Sequence, residues 1–207
     1  MNRLVLVGGG GHCKSIIDSA ISMGIYDEIV ITDAEIKVGT FIMGCKVVGT
    51  DEVLPELKRY GYDNAFISVG SIKSNDLRKK LVDSVQEIGF RFPIICDKSA
   101  AISTSAFIDE GTFVGKNAVI NADAQIGKHC IINTGSIIEH ECVIGDFSHI
   151  SVGSILCGGV FVEESVFLGA GSTVIQGVKI GKDSVIGAGS TVISNVESNS
   201  RKNGLIK

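Results

Sequence analysis

From Ile102 onward the chain places an aliphatic residue at every sixth position. Ile108, Val114, Ile120, Ile126, Ile132, Ile138, Ile144, Ile150, Leu156, Val162, Leu168, Val174, Ile180, Ile186 and Val192 follow without a slip. Two positions before most of them stands a small residue, such as Ala106, Ala118, Cys130, Ser136, Ser148 or Ser172, and glycine often follows. A strict six-residue period belongs neither to an α-helix, which repeats every 3.6 residues, nor to a simple alternating strand. It is the signature of a parallel β-helix, in which each unit forms one short strand and one corner. Three units close a triangular coil of 18 residues, so the series predicts about five coils over roughly residues 100–195. Each aliphatic side chain is expected to point into the prism and stack on its counterpart one coil away, each burial contributing on the order of 1.5–3 kcal/mol. The small residues are expected to accommodate the tight corners.

Upstream the pattern changes. LVLVGGGGH, CKSIIDSAISMG and DEIVITDA read as a strand with a glycine loop, an amphipathic helix and a second strand, and AFISVG, NDLRKKLVDSVQEIG and FRFPII continue the alternation. This predicts a small α/β domain with a mainly parallel sheet over residues 1–95, followed by the β-helix over 96–207, with Pro93 and the Asp97–Ser99 stretch at the join.

A chain of 207 residues has room for two such cores. The formal net charge of -4 offers no electrostatic footprint for nucleic acid or an anionic membrane, and neither partner is expected. Mean hydropathy is +0.34, yet no apolar run approaches the ~18 residues of a membrane span, and MNRLVLVGGGG is too short and glycine-rich for a signal peptide. A cytoplasmic protein is expected. The six cysteines form no CxxC pair and no disulfide-scaffold spacing. Cys130 and Cys142 stand where other units carry Ala, Ser or Thr, so they read as small fillers.

Candidate chemistry concentrates in three places. The turn Gly8–Gly11 follows a strand and precedes a helix, a combination whose backbone N–H groups favour an anion such as phosphate. The dinucleotide fingerprint G-x-G-x-x-G fails at Cys13, so a nucleotide diphosphate fits better than NAD. His12 opens the helix and Asp33 ends the second strand at the same sheet edge, within reach of a ribose or base; a ligand-free βα turn is the alternative. In the repeat region stand His129, His140 and His149, separated by 11 and 9 residues. That spacing does not match the histidine pairs of zinc hydratases built on such prisms; no metal is expected, and His129 is expected to be superficial or structural. His140 lies between Glu139 and Glu141 on a corner, and a carboxylate that reaches an imidazole nitrogen fixes its tautomer and raises its basicity, as a general base requires. The 18-residue stack sets Gly158 and Gly159 above His140 and Glu141, which is expected to leave space for a ligand. Finally, VFLGAGSTVIQG recurs 18 residues later as SVIGAGSTVISN, stacking Ala170 and Ala188 between glycines. Such a strip suits either a corner or a thin, extended ligand such as coenzyme A.

The segment NTGSIIEHECVIGDFSHISVG, followed by VFLGAGS and VIGAGS and preceded by GGGGH, resembles the sugar O/N-acetyltransferase family of hexapeptide-repeat acyltransferases. The resemblance spans nearly the whole chain and includes UDP-4-amino-sugar and perosamine N-acetyltransferases and sialic-acid O-acetyltransferases. It implies a left-handed β-helix and an acetyl-CoA-dependent N-acetyltransferase acting on a nucleotide-activated amino sugar by direct attack. It implies His140 as general base supported by Glu141, His149 at the acyl end of acetyl-CoA, and Ala170 and Ala188 along the coenzyme. It places Gly10, Gly11, His12, Asp33 and Gly70 at the nucleotide sugar, and implies a homotrimer with active sites between subunits. The tail VESNSRKNGLIK departs from the family's proline-containing ending, which leaves Lys179, Lys182, Arg201 and Lys202 as partners for coenzyme phosphates. An O-acetyltransferase on sialic acid or another sugar, or a non-catalytic nucleotide-sugar-binding solenoid, are the alternatives.

Overall fold

Strand β1 (Arg3–Val7) is apolar along nearly its whole length, and in the computed structural model, which describes residues 1–70 and 75–207, Leu4, Val5 and Leu6 are fully buried. A run with no polar alternation suits a central strand covered on both faces. Helix α1 (Gly11–Met23) follows directly, packs Cys13, Ile16, Ile17 and Ala20 inward, and stops at Gly24, whose φ of 67° permits a left-handed cap. Then come β2 (Glu28–Thr32), β3 (Phe41–Ile42), β4 (Cys45–Gly49), α2 (Leu54–Arg59), β5 (Asn64–Ile67) and α3 (Asp76–Glu87).

The strands form one sheet in the order β3-β4-β2-β1-β5, parallel except for the β3–β4 hairpin at its edge. Because β2 lies on one side of β1 and β5 on the other, the chain reverses direction across the sheet at β1, and a crevice opens beyond the carboxyl ends of β1 and β5. FRFPII, expected to extend the sheet, adds to it only an isolated bridge between Asn64 and Arg91, and its last residue opens the strand Ile95–Cys96 outside that sheet. Pro93 in that run has no N–H to donate to a ladder.

The chain divides into two units, Met1–Ile95 and Cys96–Lys207. The second is a left-handed parallel β-helix of two-residue strands on three faces. Face one stacks Ala101–Ile102, Val119–Ile120, Ile137–Ile138, Ile155–Leu156, Thr173–Val174, Thr191–Val192 and Leu205–Ile206. Face two stacks Phe107–Ile108, Gln125–Ile126, Val143–Ile144, Phe161–Val162 and Lys179–Ile180. Face three carries Ile95–Cys96, Phe113–Val114, Ile131–Ile132, His149–Ile150, Phe167–Leu168, Val185–Ile186 and Arg201–Lys202. Ile120 registers with Ile138 and Ile126 with Ile144, the 18-residue step that the period requires. From Ile120 to Val192 every residue of the aliphatic series is at most 1% exposed.

The small residues close the corners as expected, the N–H groups of Ser136, Ser148 and Ser172 reaching Asn133 O, Gly145 O and Gly169 O at 3.1–3.3 Å, and they do more than that. Ala118, Cys130, Ser136, Cys142, Ser148 and Ser172 are all fully buried and face the prism interior. Their hydroxyls tie down corner carbonyls, as when Ser154 Oγ donates to Gly169 O and Ser172 Oγ to Gly187 O, both at 2.9 Å. The left-handed residue of each corner stands one position earlier. Every sixth residue from Gly111 to Gly189 has φ between 53° and 71°, including Asn117, Asp123, Glu141 and Phe147. A left-handed backbone costs roughly 1–2 kcal/mol for a residue with a Cβ. From His129 on, each of these residues donates its N–H to a carbonyl of the coil below, as Glu141 N does to Ala122 O at 2.9 Å.

The six-residue signal ends at Val192, but the prism does not. Arg201 registers with Val185 and Leu205 with Thr191, so VESNSRKNGLIK folds as a final coil of 16 and then 14 residues per step.

Ile144 is 1% exposed at the centre of this stack. Ile144→Ala is expected to lower the unfolding free energy by about 2–5 kcal/mol, read as a drop in the denaturant midpoint with an unchanged slope.

Candidate active site

At the sheet edge of the first unit, the residues predicted from the sequence converge. Gly10 forms the extended N-cap of α1, and Gly10 and Gly11 are exposed with no atom within 4 Å of where a Cβ would stand. Gly70, just past β5, would bring a Cβ within 3.7 Å of the His12 Cβ. The glycine turn, His12 and Gly70 therefore surround the crevice between β1 and β5, where open α/β sheets bind ligands.

Asp33 has a role that the sequence did not reveal. Its Oδ2 accepts the Gly9 N–H at 2.7 Å, and its Oδ1 accepts those of Glu35 and Ile36 at 2.8 and 2.9 Å. The carboxylate thus braces the glycine turn from β2. A carboxylate has about four acceptor sites, so roughly one is left for a ligand. Partial burial opposes its charge, but the three N–H bonds outweigh that and hold its pKa below the usual carboxylate value.

In the second unit His140 and Glu141 occupy the corner between faces one and two. Glu141 sits in the left-handed region at φ 58°, and its Oε2 accepts a hydrogen bond from His140 Nδ1 at 3.1 Å. The His140 carbonyl accepts the Gly159 N–H at 2.9 Å, fixing the residue to the coil above. With Nδ1 donating to a carboxylate, the neutral ring carries its lone pair on Nε2. The space expected beside this pair is filled by the imidazole itself: a Cβ on Gly158 would lie 2.5 Å from both Cε1 and Nε2. Gly158 is a seat for the ring. The side chain remains 53% exposed, and among the described residues nothing hydrogen-bonds Nε2.

His149 is elsewhere. It lies outward on face three, 7% exposed, with Phe167 against its ring edge-on at 5.1 Å. Ala170 and Ala188 are exposed on the next corner, between faces three and one, and Gly189 N donates to Ala170 O at 2.8 Å, which stacks them as predicted. The corner bearing His140 is the one that face three does not touch. One prism therefore places His140 and the His149–Ala170–Ala188 strip on opposite sides of its core.

Of the four cations named for coenzyme phosphates, Lys179 is paired with Glu163 and Lys182 with Glu164, and both line a groove of about 350 Å³ on face two that none of His140, Glu141, His149, Ala170 and Ala188 lines. Arg201 and Lys202 are exposed on face three. Arg201 lies in the His149–Phe167–Val185 column, three coils from His149 or roughly 14 Å at the spacing of paired strands. His129 is not superficial: it is 5% exposed and stacked on Phe147 at 5.0 Å. Cys130 and Cys142 are fully buried, and burial pushes the Cys142 thiol up to about 11.

Fold and site together define a hexapeptide-repeat transferase with an N-terminal α/β unit. Residues 3–85 match the PglD N-terminal domain, and residues 105–140 and 159–194 match the bacterial transferase hexapeptide model. Nothing among curated sequences matches the chain. Among solved structures, a histidine-to-asparagine variant of perosamine N-acetyltransferase from Caulobacter crescentus, in complex with CoA and GDP-perosamine, is 37% identical. That match covers 99% of this chain and 94% of the other, with a TM-score of 0.91. The acetyltransferase domain of PglB from Neisseria gonorrhoeae, in complex with acetyl coenzyme A, is 29% identical over 99% of this chain and 97% of the other, with a TM-score of 0.91. The chain belongs to the sugar acetyltransferase family of hexapeptide-repeat acyltransferases that includes perosamine N-acetyltransferase.

The Asp33 brace carries a pH signature. A carboxyl whose folded pKa is depressed contributes stability in full above its unfolded value of about 3.9 and loses it as pH falls through the folded value. Asp33→Asn should therefore unfold more easily than the native chain at neutral pH, with the gap closing in strong acid; denaturant midpoints from pH 7 to pH 2 measure it.

Proposed function

We propose that this protein is an acetyl-CoA-dependent N-acetyltransferase acting on a nucleotide-activated amino sugar. The observation that carries the reading is the His140–Glu141 pair, with Nδ1 committed to the carboxylate and the ring half-exposed, in a chain alike over almost its whole length to an enzyme seen with CoA and GDP-perosamine. Glu141 orients the ring. As the sugar amine attacks the thioester carbonyl, Nε2 of His140 takes the amine proton, a C–N bond forms and the C–S bond breaks, and the proton passes to the departing thiolate. No covalent bond to the enzyme is needed.

Gly10, Gly11, His12, Asp33 and Gly70 hold the nucleotide sugar, its phosphates at the exposed N–H groups that open α1. His149 meets the acyl end of acetyl-CoA, Ala170 and Ala188 give the coenzyme a flat strip, and Arg201 and Lys202 supply exposed positive charge farther along the prism. Since one prism sets His140 and this strip on opposite sides, the working enzyme is a homotrimer in which the base of one subunit serves the coenzyme on its neighbour. Among the described residues no helix is long and apolar enough to cross a membrane, which accords with work in the cytoplasm on a soluble substrate.

Thiol release from acetyl-CoA, followed across UDP-, GDP- and CMP-linked amino sugars and the corresponding hydroxy sugars, tests the reading; release with hydroxyl acceptors alone would replace it with O-acetylation. With the best acceptor, His140→Ala should lower kcat by ~10²–10⁴ while acetyl-CoA still binds. Gly158→Ala, whose methyl would displace the ring, should lower kcat by roughly 10². Gly159→Ala should cost stability alone, because its φ of 65° strains alanine but no atom lies within 4 Å. Equal kcat losses at both glycines would remove the seat from the argument.

The shared site has its own test. His140→Ala and His149→Ala chains, each inactive alone, should regain activity when co-expressed, with about one site in four intact if subunits mix at random. The native mass in sedimentation should be three times 21.8 kDa; a fully active monomer would refute the arrangement.

A further inference from the structure

The glycine turn of the first unit is gripped from two strands, and the second grip comes from a residue that the sequence pattern does not single out. Ser68 directly follows β5 and is fully buried. Its N–H donates to Val7 O at 2.9 Å, which carries the pairing of β1 and β5 one step past Ile67. Its hydroxyl oxygen lies 2.5 Å from Gly8 O and 3.0 Å from Val7 O. A hydroxyl has one proton to give. Val7 O already accepts the Ser68 N–H, so the proton goes to the nearer Gly8 O. The lone pairs of the hydroxyl are left for Cys13, a further hydrogen-bond partner of this side chain, whose thiol burial pushes up to about 11 and so keeps neutral, with an S–H to donate.

The Gly8 carbonyl and the Gly9 N–H are the two ends of one peptide plane, and in a trans peptide they point in opposite directions. Both ends are held. Ser68 takes the oxygen from β5, and Asp33 Oδ2, at the end of β2, accepts the N–H at 2.7 Å. The plane needs holding because glycine stands on both sides of it, and without Cβ atoms little in the turn itself resists its rotation. Larger residues are excluded at both positions. Gly8 has φ 104°, and a Cβ there would lie 2.5 Å from Val69 Cγ2, while one on Gly9 would lie 2.7 Å from Ile36 Cδ1. Stiffness has to come from outside the turn. Rotated by half a turn, the plane would set its oxygen against the Asp33 carboxylate and redirect Gly10, the N-cap of α1.

We propose that Ser68 is a positioning residue for the nucleotide sugar: with Asp33 it fixes the Gly8–Gly9 peptide, and the fixed plane aims the N–H groups of Gly10 and Gly11 at the diphosphate. Fully buried, Ser68 acts through the turn and touches no ligand. The service to the ligand rests on the reading that puts the diphosphate at this turn; the grip rests on the hydrogen bonds alone.

Four peptide units in the chain join glycine to glycine, at Gly8–Gly9, Gly9–Gly10, Gly10–Gly11 and Gly158–Gly159. The full-length protein labelled with carbonyl-¹³C, ¹⁵N-glycine therefore gives four signals in a spectrum that correlates each amide with the carbonyl before it. Gly159→Ala removes one of them, and Asp33→Asn identifies Gly8–Gly9 by the loss of its downfield amide proton. That signal reads both grips, since its carbon is the Gly8 carbonyl and its amide the Gly9 N–H. Ser68→Ala should move the Gly8 carbon upfield and speed exchange of the Gly9 amide by ~10-fold. Ser68→Cys, a weaker donor in nearly the same space, should fall between the two. GDP or UDP added to the native protein should shift the Gly10 and Gly11 signals, and Ser68→Ala should weaken that binding roughly 3- to 10-fold. In turnover the KM for nucleotide sugar should rise by the same factor, with kcat and the KM for acetyl-CoA unchanged, a split that general destabilisation does not produce. A Gly8–Gly9 signal indifferent to Ser68→Ala would overturn the grip, and a changed signal with unaltered nucleotide binding and KM would overturn its service to the ligand. If neither GDP nor UDP moves the turn signals of the native protein, the diphosphate reading falls, while a Gly8–Gly9 signal that answers to Ser68→Ala leaves the grip standing.

Discussion

One backbone hydrogen bond, repeated at each corner, sets what the rest of the molecule can do. A residue with φ near 60° donates its N–H to the carbonyl of the coil below, from His129 to Gly189 without interruption. Each bond contributes only about 0.5–1.5 kcal/mol net, comparable to the strain of placing a side chain in the left-handed region. The series holds because the aliphatic stack inside makes each coil's position depend on the next. A side chain on such a corner stands on a backbone with almost no freedom. His140 and Glu141 occupy that position, and so does the Ala170–Ala188 strip.

This rigidity explains why so little machinery surrounds the imidazole. A base attached to a mobile loop would need a network to aim it; here the coil above supplies one N–H, the neighbouring residue one carboxylate, and Gly158 an absence of bulk. The N-terminal crevice is built on a different principle. Its glycine turn has no stack to fix it, and Asp33 does that work from the adjacent strand with three hydrogen bonds.

The repeat was legible because a period of six has no competing explanation, and the α/β unit because its strands and helices alternate cleanly. What escaped has physical reasons. Period alone does not say which way a small residue points, and Ser136 and Ser148, which close corners, are also fully buried against the interior. The β3–β4 hairpin is too short to leave a pattern, and FRFPII looked like a strand because its apolar residues alternate, although Pro93 cannot join a ladder. At the site, the His140–Glu141 contact was legible because the two are adjacent in sequence. The separation of His140 from His149 was also within reach, since nine residues are one and a half units and must put them on different sides. Ser68 was not: it meets Gly8 across sixty residues, and only the β1–β5 register makes them neighbours.

The contracting last coil has a consequence for the molecule's behaviour in a crowded solution. A parallel β-helix ends, by construction, in a rim of backbone groups ready to pair with any extended segment that arrives, and stacked prisms could in principle lengthen into fibres. Here the steps shrink from 18 to 16 to 14 residues, so the coil formed by VESNSRKNGLIK lacks the outline of a regular one and fits an incoming regular strand less well. Arg201 and Lys202 add positive charge where an incoming strand would have to lie. The same segment that breaks the sequence pattern breaks the regular outline of the coil.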